Sequence, residues 1–137
     1  MMILKKSLAE EIITYAKSNF PNECCGYLFG LYDMPTDQNT IKQIFKMTNT
    51  HKNRQNFFMF SPEEQLEALI KSKKENLDIV GIFHSHPHSI AYPSDEDIKY
   101  MYTSTQSYII ISLLDEEPKI KSFRFKEKKI YEEGIKN

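Results

Sequence analysis

The stretch from Ile79 to Asp97, IVGIFHSHPHSIAYPSDED, places the tightest limit on what this chain can fold into. It opens as an apolar run, Ile79, Val80, Gly81, Ile82 and Phe83, with the pattern of a buried strand. His84 and His86 close that run two residues apart. Side chains at i and i+2 on a strand share a face, so this strand ends in two imidazoles side by side. Pro87 breaks strand geometry before His88, which is therefore expected in a solvent-facing loop. Asp97 follows behind Pro93 and Ser94, in what reads as the first turn of a helix. A carboxylate there can fold back as a third ligand. Two histidines and a carboxylate with an open fourth position are the usual make-up of a catalytic zinc site.

The 137 residues fit one domain, 1–137, long enough to bury roughly two thirds of its unfolded surface. Lysine plus arginine (18) and aspartate plus glutamate (19) nearly cancel, so no nucleic-acid partner is expected. Lys126 to Lys129 encloses Glu127 and reads as a solvated edge. No apolar run reaches the ~18 residues of a membrane span, and MMILKKSLAEE is too short in its apolar part for a signal peptide. The expectation is a cytoplasmic protein with no membrane partner. The two cysteines, Cys24 and Cys25, are adjacent; neighbours on a strand point apart, which excludes a disulfide framework and leaves two small buried side chains.

Taken in order, Ser7 to about Phe20 has helical periodicity, with Ser7 as N-cap and Glu10 completing a capping box. Residues 22–30 form an apolar strand, and Ile41 to Met47 an antiparallel partner across a turn-rich loop. Thr48 to Gln55 reads as a long polar loop, and Phe57 to Phe60 as a short aromatic strand. Ser61-Pro62-Glu63-Glu64 supplies an N-cap, a first-turn proline and a capping-box glutamate for a helix with Leu66, Leu69 and Ile70 on one face. Asp78 to Phe83 delivers the histidines. A helix from Ser94 to Tyr102 or Thr103, strands over Tyr108 to Leu114 and Ile120 to Phe125, and a short strand or tail at Lys129 to Tyr131 complete the chain. The sum is a single α/β (α+β) domain with a mixed sheet and about three helices.

Of the four histidines, three fall within residues 84–88, which favours ligation by His84 and His86 over lone structural roles; His51 lies in the polar loop and carries no functional weight. His84-Ser85-His86-Pro87-His88 matches HxHxH formally. Its serines and proline fit poorly with the aliphatic surroundings of histidine-triad nucleotide hydrolases. The PCxxC of zinc deaminases and HExxH are absent. Ser85, between the ligands, points to the opposite, core-facing side, where its hydroxyl needs a partner.

The full pattern, HSHP-x5-PS-x-x-D with Pro21-Asn22-Glu23-Cys24-Cys25-Gly26 upstream, resembles the JAMM (MPN-plus) metalloprotease motif of small stand-alone prokaryotic members. The resemblance covers most of the chain. It implies a mostly antiparallel, curved, cytidine-deaminase-like sheet. It also implies that His84, His86 and Asp97 bind one zinc with a water as fourth ligand. Glu23 is then the general base that passes the water's proton to the leaving amine. Ser94 would donate to the oxyanion, where the competing reading is a plain helix cap. Asn49 and Thr50 are candidates for the cleft lining.

The same resemblance implies hydrolysis of the peptide or isopeptide bond after the tail of a ubiquitin-like protein. For a chain this small that means β-grasp partners such as sulfur carriers ending in di-glycine, with the tail held by β-augmentation. Two other classes stand beside it. One is a zinc amidohydrolase acting on a small metabolite, since the motif fixes chemistry and not substrate. The other is a non-catalytic MPN scaffold, whose members have lost the ligands this sequence keeps. The oligomeric state is not legible.

Overall fold

A computed structural model describes residues 1–137. In chain order the elements are β1 (Met2–Ile3), α1 (Lys6–Asn19), β2 (Cys25–Asp33), β3 (Gln38–Met47), α2 (Pro62–Lys74) and β4 (Asp78–His86). Then come α3 (Asp95–Ile98), β5 (Ser107–Ser112), β6 (Lys119–Lys126), β7 (Lys129–Glu133) and β8 (Ile135–Lys136). All strands join one eight-stranded sheet in the order β7-β6-β5-β4-β2-β3-β1-β8. β4 runs parallel to β5, β1 runs parallel to β3 and β8, and the other pairs are antiparallel. β7 and β8 take the two edges yet are separated only by Gly134, whose carbonyl accepts from Met2 N at 2.8 Å. One chain segment thus occupies both edges, and the sheet curves round to meet itself. No helix is long and apolar enough to cross a membrane.

Alternation along β5 splits the core. Ile109 and Ile111 join Leu28, Ile41, Val80 and Phe83 beneath α1, which contributes Ile12 and Ala16. Tyr108 and Ile110 face the other way and pack with Ala91, Met101 and Phe123. Each buried Leu, Ile or Phe contributes on the order of 1.5–3 kcal/mol relative to exposure. Gly81 permits the central β4–β5 contact, because a Cβ there would lie 2.3 Å from the carbonyl oxygen of Ser107.

At the closing seam lies a buried polar cluster. Arg124 donates to Asp37 Oδ1 at 2.7 Å, to Glu133 Oε2 at 3.3 Å and to the Ser104 carbonyl at 2.8 Å. Ser107 and Ser122 hydroxyls donate to Glu133 Oε1, and Asn39 donates to the Thr105 carbonyl at 2.8 Å. These bonds fix the loop between α3 and β5, which forms one wall of the cleft described below. The Lys126–Lys129 edge is a hairpin whose two turn residues, Glu127 and Lys128, have φ of 50° and 62°.

Several local expectations give way. Lys5, not Ser7, is the N-cap of α1, and it makes no side-chain cap bond. Ser61 does cap α2, but Glu64 turns away from the capping box to accept from Thr48 N at 2.8 Å. Leu66, Leu69 and Ile70 stay exposed; α2 instead buries Ala68 and Ser72, whose small side chains let the helix lie close to the sheet. Phe57–Phe60 joins no ladder, and α3 stops after four residues rather than reaching Tyr102.

A candidate metal centre in an aromatic cleft

β4 carries the two histidines to its very end on one face, as period-two alternation requires. His84 Nε2 and His86 Nε2 lie 3.1 Å apart. Asp97 Oδ2 sits 3.1 Å from the first and 3.0 Å from the second. The aspartate is aimed by a reciprocal cap: Asp97 N donates to Ser94 Oγ at 3.0 Å, and Ser94 N donates to Asp97 Oδ2 at 2.9 Å.

The donor set calls for a cation. His86 Nδ1 lies 2.8 Å from the Ile90 carbonyl, which only accepts, so Nδ1 carries the hydrogen and the neutral ring presents a lone pair at Nε2. That lone pair faces a carboxylate oxygen, and only a proton or a metal ion makes the contact favourable. Zinc bonds of about 2.0–2.1 Å in a tetrahedron set ligand atoms roughly 3.3–3.4 Å apart, within a few tenths of an ångström of the spacing found. The residues therefore fit a tetrahedral metal.

Without a metal the electrostatics show the same demand. Burial alone would raise the Asp97 pKa, but the His84 charge and hydrogen bonds from His84, His86 and Ser94 N hold it well below the carboxylate range. Burial alone would lower that of His86; its bonds to Asp97 and the Ile90 carbonyl, with the charges of Asp97 and Glu23, carry it upward instead. Phe58 stacks on the His84 ring at 4.6 Å.

Glu23 arrives from β2. Cys25 pairs with His84 across the antiparallel β2–β4 ladder, so two residues back along that register Glu23 lies opposite His86, on the same face. It is 4% exposed and its Oε1 has no hydrogen-bond partner. Burial pushes its pKa up to about 8, with His86 pulling it down and Asp97 adding to the rise. A raised carboxyl pKa favours the folded chain fully below the ordinary value of 4.5, and the contribution is lost as pH rises through about 8. Metal-free wild type is therefore expected to lose on the order of 2–4 kcal/mol relative to Glu23→Gln between about pH 5 and 8. Thermal melts of the two metal-free proteins across that range check this; parallel profiles would contradict it.

The surroundings hold this carboxyl in place. Asn49 Nδ2 donates to the Glu23 carbonyl at 3.0 Å and to that of Phe57 at 2.9 Å, and Glu23 N donates to the Arg54 carbonyl at 2.7 Å. Ser85 accepts from Cys24 N at 2.8 Å, the partner its core-facing hydroxyl required. Burial pushes the Cys24 thiol up to about 11 and Cys25 higher still, so neither is a nucleophile. His88 packs against Phe20, away from the ligands.

His84 and Asp97 open into a cavity of about 390 Å³ lined by Tyr27, Phe58, Phe60, Tyr100 and Tyr102 among others. His51, given no weight from sequence, lines it as well. Along one wall Phe57 and Met59 spend their backbone groups on Asn49, Thr50 and Asn53. Phe58 and Phe60, alternating with them, make no backbone hydrogen bond within the chain. The segment thus keeps unpaired backbone groups at two residues that line the cleft.

A curved mixed sheet with a His-x-His strand end and a capped aspartate defines a domain of the JAB/MPN class. Prokaryotic homologs of the JAB domain match residues 5–126, and the chain belongs to that family. It is 25% identical over 136 residues to the CysO-cysteine peptidase of Mycobacterium tuberculosis, covering 98% of this chain and 90% of that one. It is 34% identical over 90 residues to the desampylase of Pyrococcus furiosus, covering 66% and 59%. A solved protein from Desulfitobacterium hafniense superposes with a TM-score of 0.87 at 35% identity, over 98% and 91% of the two chains. A JAB1/MPN domain protein from Archaeoglobus fulgidus has the same fold at 21% identity, with a TM-score of 0.61 over 98% of each chain.

Proposed function

We propose that this chain is a zinc-dependent peptidase or isopeptidase acting after the C-terminal, di-glycine tail of a ubiquitin-like or sulfur-carrier protein. One observation carries the reading: three ligand atoms converge within 3.1 Å beside a buried, unpartnered carboxyl. The names of its relatives, a CysO-cysteine peptidase and a desampylase, support a protein conjugate as substrate over a free metabolite.

His84, His86 and Asp97 would hold the metal, which supplies Lewis acidity and a water acidified towards a pKa of ~7. Glu23 would take a proton from the attacking water and return it to the leaving amine; its burial keeps competing solvent away from the transfer. Ser94 Oγ accepts from Asp97 N through one lone pair, which leaves its hydroxyl hydrogen to meet the developing oxyanion. The free backbone groups of Phe58 and Phe60 would pair with an extended tail, and the stacking of Phe58 on His84 supports a scissile bond close to that ring.

The test is direct. Zinc-loaded protein incubated with di-glycine-tailed β-grasp proteins of the same organism, each extended at the C-terminus, is expected to release the extension as a discrete mass. Intact masses for every such protein, with a small amide cleaved instead, would move the reading to a metabolite amidohydrolase.

A further inference from the structure

We infer that Ser112 is a positioning residue for the metal centre: its hydroxyl fixes the turn whose Ile90 carbonyl holds His86 in the metal-ligating tautomer. The inference rests on the metal-binding part of the reading above and adds a residue to it.

The sheet places this serine beside the ligand. In the parallel β4–β5 ladder His86 pairs with Ser112, and paired residues of a ladder share a face. Leu113 N donates to the His86 carbonyl at 3.0 Å, which fixes the ligand's backbone. Beyond His86 the chain leaves the sheet. Pro87 and Ala91 are buried, whereas His88, Ser89 and Ile90 between them are exposed. His88 rests on the Phe20 ring. The only hydrogen bond that this turn receives from outside residues 86–92 comes from Ser112, whose Oγ donates to the Ser89 carbonyl at 2.6 Å.

What the turn presents is the Ile90 carbonyl. It accepts from His86 Nδ1 at 2.8 Å and from Tyr92 N at 2.9 Å. The first bond keeps the ring hydrogen on Nδ1 and the lone pair on Nε2. Asp97 pulls the other way. Its Oδ2 lies 3.0 Å from His86 Nε2, and a hydrogen on that nitrogen would bond the carboxylate and leave no lone pair for a metal. Two acceptors therefore compete for one ring hydrogen, and the ligating tautomer prevails only while the carbonyl stays in place. Ser89 precedes Ile90, so the bond that fixes the Ser89 carbonyl orients the peptide leading into Ile90.

A local role alone does not account for this hydroxyl. Ser112 Oγ also accepts from Leu114 N at 3.2 Å, the short turn that serine side chains make with the backbone two residues on. That turn uses a lone pair. The hydroxyl hydrogen goes to a different element, the turn after β4. Ser112 is 4% exposed, so little water competes for that hydrogen. The serine is not one of the three converging ligands and acts on the metal through Ser89, Ile90 and His86 in succession.

The experiment measures zinc affinity of the stripped chain by competition with a chelator, with no substrate present. Ser112→Ala is expected to bind zinc about tenfold more weakly, the lower end of the roughly 10–100-fold that partners of a ligating histidine control. Ser122→Ala removes a buried serine bond of the same kind, to Glu133 Oε1 at 2.7 Å in the closing seam. It should cost stability and leave zinc affinity within about twofold of wild type, which separates a general loss of stability from loss of the turn. A second readout is the His86 Nδ1–H proton of the zinc-loaded chain in nuclear magnetic resonance. Its exchange with solvent should be about tenfold faster in Ser112→Ala, because the bond to the Ile90 carbonyl opens more often. Wild-type zinc affinity in Ser112→Ala, an unchanged exchange rate, or an equal loss of affinity in Ser122→Ala would overturn the inference. Zinc uptake by the wild type without cleavage of any conjugate removes the peptidase reading and leaves the affinities to decide Ser112. A wild type that takes up no zinc removes the metal centre and the inference with it.

Discussion

Glu23→Gln is expected to lower kcat by about 10²–10⁴-fold while one metal ion per chain stays bound. Glutamine keeps the shape and the buried position but can neither take a proton nor return one. Glu23 is not among the three converging ligand atoms, so the metal is untouched. The unpartnered Oε1 is what makes the prediction sharp: no hydrogen bond anchors it elsewhere, and burial has already raised its pKa to about 8. A group poised there in the metal-free protein is drawn towards ionisation when a dication binds beside it. KM should change little, since the carboxyl does not hold the tail. Parallel kinetics and metal analysis on the variant check both halves; full turnover with metal bound would put the base elsewhere.

Arg124→Met is expected to cost about 3–5 kcal/mol of stability, a large share of the roughly 5–15 kcal/mol typical of a domain. The guanidinium is 5% exposed and faces the carboxylates of Asp37 and Glu133. Removing it leaves Glu133, itself 6% exposed at the side chain, with two serine hydroxyls and the N-terminal ammonium of Met1 at 4.0 Å. The damage also reaches the cleft, because Arg124 fixes the Ser104 carbonyl and with it the wall carrying Tyr100 and Tyr102. Urea denaturation should show a lower midpoint with unchanged slope, and KM should rise. A loss below about 1 kcal/mol would mean the cluster is screened by solvent.

What was legible in the sequence follows from the physics of each element. His84 and His86 could be placed on one face because strand alternation is strict, and Ser85 on the other for the same reason. Asp97 and Glu23 needed the longer motif, since no local pattern joins residues that far apart. The packed face of α2 is not legible, because helical periodicity finds the Leu66-Leu69-Ile70 stripe without saying which stripe packs. Ala68 and Ser72 win by letting backbones approach. Phe57–Phe60 has strand composition, but its partner is the Asn49 side chain on one edge and an open cleft on the other. β1, two residues long, and the closure of the sheet by residues 129–136 leave almost no periodic signal. His51 sits in a polar loop, and its place on the cavity wall comes from tertiary packing against Phe57.

Metal binding by the wild-type chain tests the account most directly. Purified protein is expected to carry one zinc per chain, and stripped protein titrated with zinc should bind one equivalent and release a proton as the buried Glu23 carboxyl ionises beside the dication. Replacing His84 with alanine should abolish that uptake in a chain that still folds. A folded wild-type protein that takes up no zinc, or takes it up equally well without His84, would contradict it.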